Sequence, residues 1–151
     1  MSPVEFYLLA LRLLANERCP AGFRSATSRA YYAAFLEGIG FLRRMGVQVP
    51  RSAASHEHVV FMLMESGDSA LDDTGRMLGD LRGYRNGADY RLHQPVHGTE
   101  AHATVRVREA GEVMTALTTC RGDRPRFEAA AERIRVFAET ILKIQVVGMP
   151  S

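Results

Sequence analysis

An arginine, an amide, a carboxylate and a phenol fall close together in Arg82-Gly83-Tyr84-Arg85-Asn86-Gly87-Ala88-Asp89-Tyr90, at the spacing of one helix face. Arg82, Arg85 or Asn86, and Asp89 recur every three or four residues, and Arg85 can pair with Asp89 inside that helix. A second polar set, Ser25, Ser28, Arg29 and Tyr32, is set into the apolar run Ser25-Ala26-Thr27-Ser28-Arg29-Ala30-Tyr31-Tyr32-Ala33-Ala34-Phe35. Two helices that combine packing residues with a polar stripe predict a polar seam, either where they pack together or where a second subunit docks. Guanidinium groups hold phosphate or carboxylate through paired N–H donors. Arg29, Arg82, Asp89 and Tyr32 are therefore candidate binding residues. The competing reading of Arg85, Asp89 and Tyr90 is structural, an ion pair with hydrogen bonds that fixes helix register.

Other chemistries find little support. His56 and His58 are two apart and cannot face one way on a helix. His93, His97 and His102 straddle a proline loop without the paired spacing of a zinc site. No Gly-x-Ser-x-Gly elbow and no glycine-rich phosphate loop occurs, so neither a metal nor a cofactor is expected. Cys19 and Cys120 are too few and too far apart for a disulfide framework, which suggests a reducing compartment. Arg12 interrupts the apolar run from Phe6 to Leu14, the N-terminus has no basic segment, and no stretch has the length of a membrane span. A cytoplasmic protein with no membrane partner is expected.

Charge is uneven although the total is only +2. Residues 18–51 carry Arg18, Arg24, Arg29, Arg43, Arg44 and Arg51 against Glu37, a net +5. Residues 52–80 carry Glu57, Glu65, Asp68, Asp72, Asp73 and Asp80 against Arg76, a net −5. The simplest reading is that two neighbouring helices complement each other. The alternative is a basic surface that holds phosphates.

The elements that must position these groups are helical. The 151 residues, 46% hydrophobic and 24% charged, suit one soluble domain spanning 1–151. Apolar residues recur at helical period, and no run alternates as a strand does. Ser2-Pro3 starts a first helix reaching about residue 15, which buries Phe6, Leu9, Leu13 and Leu14. Cys19-Pro20-Ala21-Gly22 ends it. The second helix, about 23–45, carries Tyr31, Tyr32, Phe35, Ile39 and Leu42 and is the expected central one. Gly38 and Gly40 within it suggest close approach of a neighbour, and Gly46 a C-cap. A third helix is expected from Ser55, capped by its side chain, to about Ser66-Gly67-Asp68, and a fourth over about 71–92. A loop covers 93–99, a fifth helix about 100–119, and a sixth about 126–146. The sum is an all-α bundle of five to six helices.

Ser28-Arg29-Ala30-Tyr31-Tyr32-Ala33-Ala34-Phe35 resembles a helix of one subfamily of the HEPN family. Ser55-His56 before an apolar helix resembles its next element, and Arg85-x-x-Ala88-Asp89-Tyr90 its closing signature. The order matches over about residues 4–145. The resemblance implies a HEPN-like helical bundle, commonly a homodimer, often partnered by a nucleotidyltransferase-fold protein in a defence or toxin–antitoxin-type module. In many members it also implies metal-independent RNA cleavage, by an arginine, a polar residue, and a histidine after four to six intervening residues. Arg85 and Asn86 match the start, but Tyr90 stands where the histidine would be, and His93 follows after seven residues. Arg51 to His56 and Arg91 to His97 also satisfy the spacing.

Cleavage by the 2′-hydroxyl needs a base, an acid for the leaving oxygen, and a cation for the phosphorane charge. Arginine suits the cation role and histidine the proton transfer, whereas a tyrosine of pKa about 10 transfers protons poorly. The resemblance thus makes Arg85, Asn86, Tyr90 and His93 the candidate catalytic residues, with RNA as substrate. A non-catalytic helical adaptor, dimerisation module or ligand-binding bundle is the alternative, favoured by the missing histidine at position 90.

Overall fold

The chain forms six α-helices among the residues described by the computed structural model, which are 1–148. They are α1 (Pro3–Asn16), α2 (Pro20–Arg44), α3 (Ser55–Met64), α4 (Ser69–Tyr90), α5 (Glu100–Gly122) and α6 (Arg124–Thr140). A short 3-10 turn, Pro95–Gly98, lies in the link between α4 and α5. The architecture is an all-α bundle, with no named strand among the described residues. No helix of the described residues is long and apolar enough to cross a membrane.

Helix starts follow local chemistry. Pro3 stands at the first position of α1, where its missing N–H costs nothing, and the Ser2 N–H donates to the Glu5 carboxylate at 2.6 Å. Pro20 opens α2 in the same way, so α2 begins three residues before the expected Phe23. Asp68, Thr99 and Asp123 cap α4, α5 and α6 with their side chains. Asp68 also takes two hydrogen bonds from Arg126, at 2.9 and 3.1 Å, and so joins the starts of α4 and α6. Ser55 departs from expectation. It lies buried inside α3, and its hydroxyl donates back to the Pro50 carbonyl and accepts the Ser52 N–H instead of capping the helix.

Helix α2 is central. It packs against α1, α3, α4 and α5, and 13 of its 25 residues are buried. Tyr31, Leu42, Leu63, Leu78, Leu117 and Ile134 lie in the core that it organises with α3 to α6. Gly38 permits the close approach expected of it: a Cβ there would stand 3.1 Å from Val59 of α3 and 3.8 Å from Leu78 of α4. Gly40 does not, having nothing within 4 Å of such a Cβ. Helix α1 buries only Ala10 fully. Phe6, Leu9, Leu13 and Leu14 are half-buried, and Val4, Leu8 and Leu11 stay exposed on its other side.

The end of α6 corrects the expectation of a helix to Val146. The helix stops at Thr140, and Lys143 takes a left-handed conformation with φ 57°. Beyond that turn Val146 pairs antiparallel with Val47, held by Gln48 N–H to Gln145 O and Val147 N–H to Gly46 O, both 2.9 Å. Gly46, at φ 90°, ends α2 in the conformation that glycine alone adopts freely. Ile144 is buried through this return pairing and not on a helix face.

Candidate functional site

The two polar stripes meet at one guanidinium. Helix α2 presents Ser28, Arg29, Tyr31 and Tyr32, and α4 presents Arg82, Arg85, Asn86 and Asp89. Arg85 Nη2 donates to the Tyr32 hydroxyl across the interface, and Nη1 donates to Asn86 Oδ1 at 2.7 Å. Arg85 Nε lies 3.3 Å from Asp89 Oδ2, a charge contact without the alignment of a hydrogen bond. The same Asp89 oxygen accepts from Ser28 Oγ at 3.0 Å, and Ser28 Oγ is 3.4 Å from Arg29 Nη2. The Arg85 side chain is 12% exposed and that of Asp89 29%.

Aromatic rings surround the charge. The Arg85 guanidinium lies 4.9 Å from the Tyr32 ring centre and 5.8 Å from those of Tyr31 and Tyr90. Arg29 approaches Tyr32 at 5.2 Å, so two cations share that ring. Burial would lower the affinity of Arg85 for its proton, but the hydrogen bond to Tyr32 and the charges around it outweigh this and hold its pKa above the ordinary value.

Arg85, Asn86, Asp89, Tyr32 and Arg29 thus come together as expected. Arg82 lies to one side and faces Glu57 of α3 at 3.7 Å. Tyr90 is 71% exposed at the last position of α4, its ring against Arg85. His93 is not brought in: it is exposed in the link beyond α4, and none of the hydrogen bonds and ring contacts of the cluster reaches it.

His56, which is not among the candidate residues, lies beside the cluster. Its ring stacks on Phe35 at 4.2 Å, and its Nδ1 is 2.5 Å from the Tyr31 hydroxyl. Burial first, then the Arg82 and Arg85 charges, push its pKa below the ordinary imidazole value. It is neutral at pH 7, next to the arginine cluster. Its position depends on how α3 packs on α2, which no local spacing reveals; the signals in the sequence were the Ser55-His56 element of the family resemblance and the spacing from Arg51 to His56.

The basic stretch resolves into two groups. Arg18 pairs with Glu100 at 2.5 Å, and Arg29 belongs to the seam. Arg24 donates to the carbonyls of Gly87, Ala88, Arg91, Leu92 and Gln94, at 2.7 to 3.5 Å, and so satisfies the open end of α4. Arg43, Arg44 and Arg51 are exposed and enter no ion pair among the described residues. No ion pair among the described residues joins stretch 18–51 to stretch 52–80. The expected complementarity of the two stretches is therefore corrected: Arg18 and Glu37 find partners on α5, while Glu57 and Asp68 find theirs in Arg82 and Arg126.

Two further histidines meet beside the same C-terminal end of α4, against Gly87 and Tyr84. His97 is buried with Nε2 2.9 Å from Gln94 Oε1, and its ring lies edge-on to His102 at 5.2 Å. Gly87 makes room for it, since a Cβ there would stand 2.3 Å from the imidazole. Burial, helped by Arg106 and His97, lowers the His102 pKa to about 4. No group of three His, Cys, Asp or Glu side chains among the described residues is placed to hold a metal ion.

Fold and site together define an all-α bundle with an arginine-centred polar seam between its second and fourth helices. The chain matches no protein-family model, no curated protein and no solved structure.

Proposed function

We propose that this chain is a HEPN-like protein of a defence or toxin–antitoxin-type module, and that it cleaves RNA without a metal ion at the Arg85 seam. The convergence of the Ser28-Arg29-Tyr32 stripe and the Arg85-Asp89-Tyr90 stripe on one guanidinium carries the reading. In this account the 2′-oxygen attacks phosphorus, the bond from phosphorus to the 5′-oxygen breaks, and a 2′,3′-cyclic phosphate and a 5′-hydroxyl result. Arg85 has five N–H groups, of which Tyr32 and Asn86 take two. Its remaining Nη protons face the charge that gathers on the phosphate. His56 takes the 2′-hydroxyl proton at Nε2, in the tautomer whose Nδ1–H donates to Tyr31. Its lowered pKa keeps it in the base form. Tyr90 orients the phosphate from beside Arg85, and water protonates the leaving oxygen. A nucleotidyltransferase-fold protein is the partner that the family resemblance supports. The test is incubation of a structured RNA with the purified protein in EDTA. Fragments ending in cyclic phosphate, with an all-deoxy analogue left intact, are expected; intact RNA would refute cleavage.

One observation favours a second reading, a non-catalytic adaptor built on self-association. Val4, Leu8 and Leu11 line one face of α1 at 49%, 46% and 40% exposure. Antiparallel packing of this face on a second copy would set Glu5 of one chain beside Arg12 of the other. Gly38 packs within the chain, and the bonds of Arg85 to Tyr32 and of Ser28 to Asp89 also form within it, so none of these contacts needs a second subunit.

A further inference from the structure

The C-terminal half of α2 and the link between α2 and α3 enclose a groove of about 330 Å3. Leu36, Ile39, Val49 and Pro50 form its apolar walls, and Arg43 and Arg51 stand on its rim. Both arginines are exposed and neither enters an ion pair among the described residues, whereas Arg18 pairs with Glu100, Arg24 donates to backbone carbonyls and Arg29 donates to Ser28. The wall is braced in advance: the Ser55 hydroxyl holds the Pro50 carbonyl and takes the Ser52 N–H at 3.2 Å. Little ordering is therefore left for a ligand to impose. The volume falls at the small end of ligand sites, roughly 300–1,000 Å3. That is room for one base with its sugar, and too little for a duplex.

We infer that this groove seats one unpaired nucleotide of a single-stranded RNA, its base between the apolar walls and its flanking phosphates on Arg43 and Arg51. An apolar slot with cationic rims is the pattern by which proteins take unpaired bases without reading a helix. His56 links the groove to the seam. Its ring closes one end of the groove against Phe35, while its Nδ1 meets Tyr31, which Arg85 approaches at 5.8 Å. A strand held here thus leads its next phosphate toward Arg82 and Arg85. The inference rests on the RNA reading above and adds to it a preference for unpaired substrate.

The test is fluorescence anisotropy with a labelled ten-nucleotide oligouridylate and with a duplex RNA of equal length, both 2′-O-methylated so that neither can be cut, between about 50 and 200 mM salt. Arg43→Ala/Arg51→Ala is compared with Arg108→Ala/Arg124→Ala, a pair on α5 and α6 that removes the same charge. The groove pair is expected to weaken oligouridylate binding roughly tenfold or more and the control pair less than twofold. The salt slope of the groove pair is expected to fall by about 1.4, from two lost phosphates at about 0.7 each. Wild type is expected to prefer oligouridylate to duplex. Equal losses in the two pairs, or equal affinity for duplex, would overturn the groove while leaving cleavage at Arg85 standing. Binding of neither RNA by wild type would overturn both.

Discussion

The Arg85 guanidinium of α4 donates a hydrogen bond to the Tyr32 hydroxyl of α2. With Ser28 to Asp89 it ties the two helices together through the same groups proposed to act on RNA. Tyr32→Phe removes the acceptor and leaves the ring in place. The expected cost is about 1–2 kcal/mol, that of a hydrogen bond to a charged group that keeps some solvent. Urea unfolding measures it, and unchanged stability would show that the Arg85–Tyr32 bond adds nothing to the tie that Ser28 and Asp89 make between the helices.

Gly87→Ala should loosen the packing of the Pro95–Gly98 turn on the C-terminal end of α4. The added methyl would stand 2.3 to 2.4 Å from the His97 ring, which is buried and held by Gln94. Overpacking of this kind costs about 1–3 kcal/mol. Thermal unfolding gives the size, and amide exchange at Pro95–Gly98 should show faster opening there than in α2.

Acid should destabilise the fold through the histidine pair. The His102 imidazole has an ordinary pKa of 6.5 when unfolded and about 4 when folded, lowered by burial first and then by Arg106 and His97. Below 6.5 the unfolded chain binds the proton that the folded chain refuses. Stability from this group is therefore complete above 6.5 and lost as pH falls toward 4. His97 shifts in the same direction. Melting temperatures across this window should fall less steeply for His102→Gln than for wild type. Equal slopes would show that His102 is protonated while folded.

Leu8→Arg tests the adaptor reading. Light scattering after gel filtration should give a dimer for wild type and a monomer for the variant if α1 is the self-association face. A wild-type monomer at tens of micromolar would remove that reading.

The helices were legible because Pro3, Pro20, Gly46, Asp68, Thr99 and Asp123 mark their ends with local chemistry. The Arg85–Asp89 contact was legible too, since a four-residue spacing places both groups on one face. What escaped depends on tertiary contact. His56 reaches the seam only because α3 packs its first turn against Phe35 and Tyr31. Arg24 belongs to a basic stretch expected to face an acidic helix or to hold phosphates, yet it serves the carbonyls at an α4 terminus more than sixty residues away in sequence. The run after Thr140 keeps a helical period, but the pairing of Val146 with Val47 draws it off the helix.

The most direct measurement of the central claim is the rate of RNA cleavage in EDTA by wild type and by Arg85→Lys, Arg85→Ala, His56→Gln, Tyr90→Phe and His93→Ala. Each variant is first shown to keep a cooperative melting transition, because Arg85→Ala leaves Asp89 without its cation. Arg85→Lys keeps the charge and guards against that loss. Both Arg85 variants and His56→Gln should lose about a hundredfold or more. Tyr90→Phe should lose less, and His93→Ala should cut at the wild-type rate. A folded Arg85→Ala that cuts as fast as wild type, or a wild type that cuts nothing, would contradict the central claim.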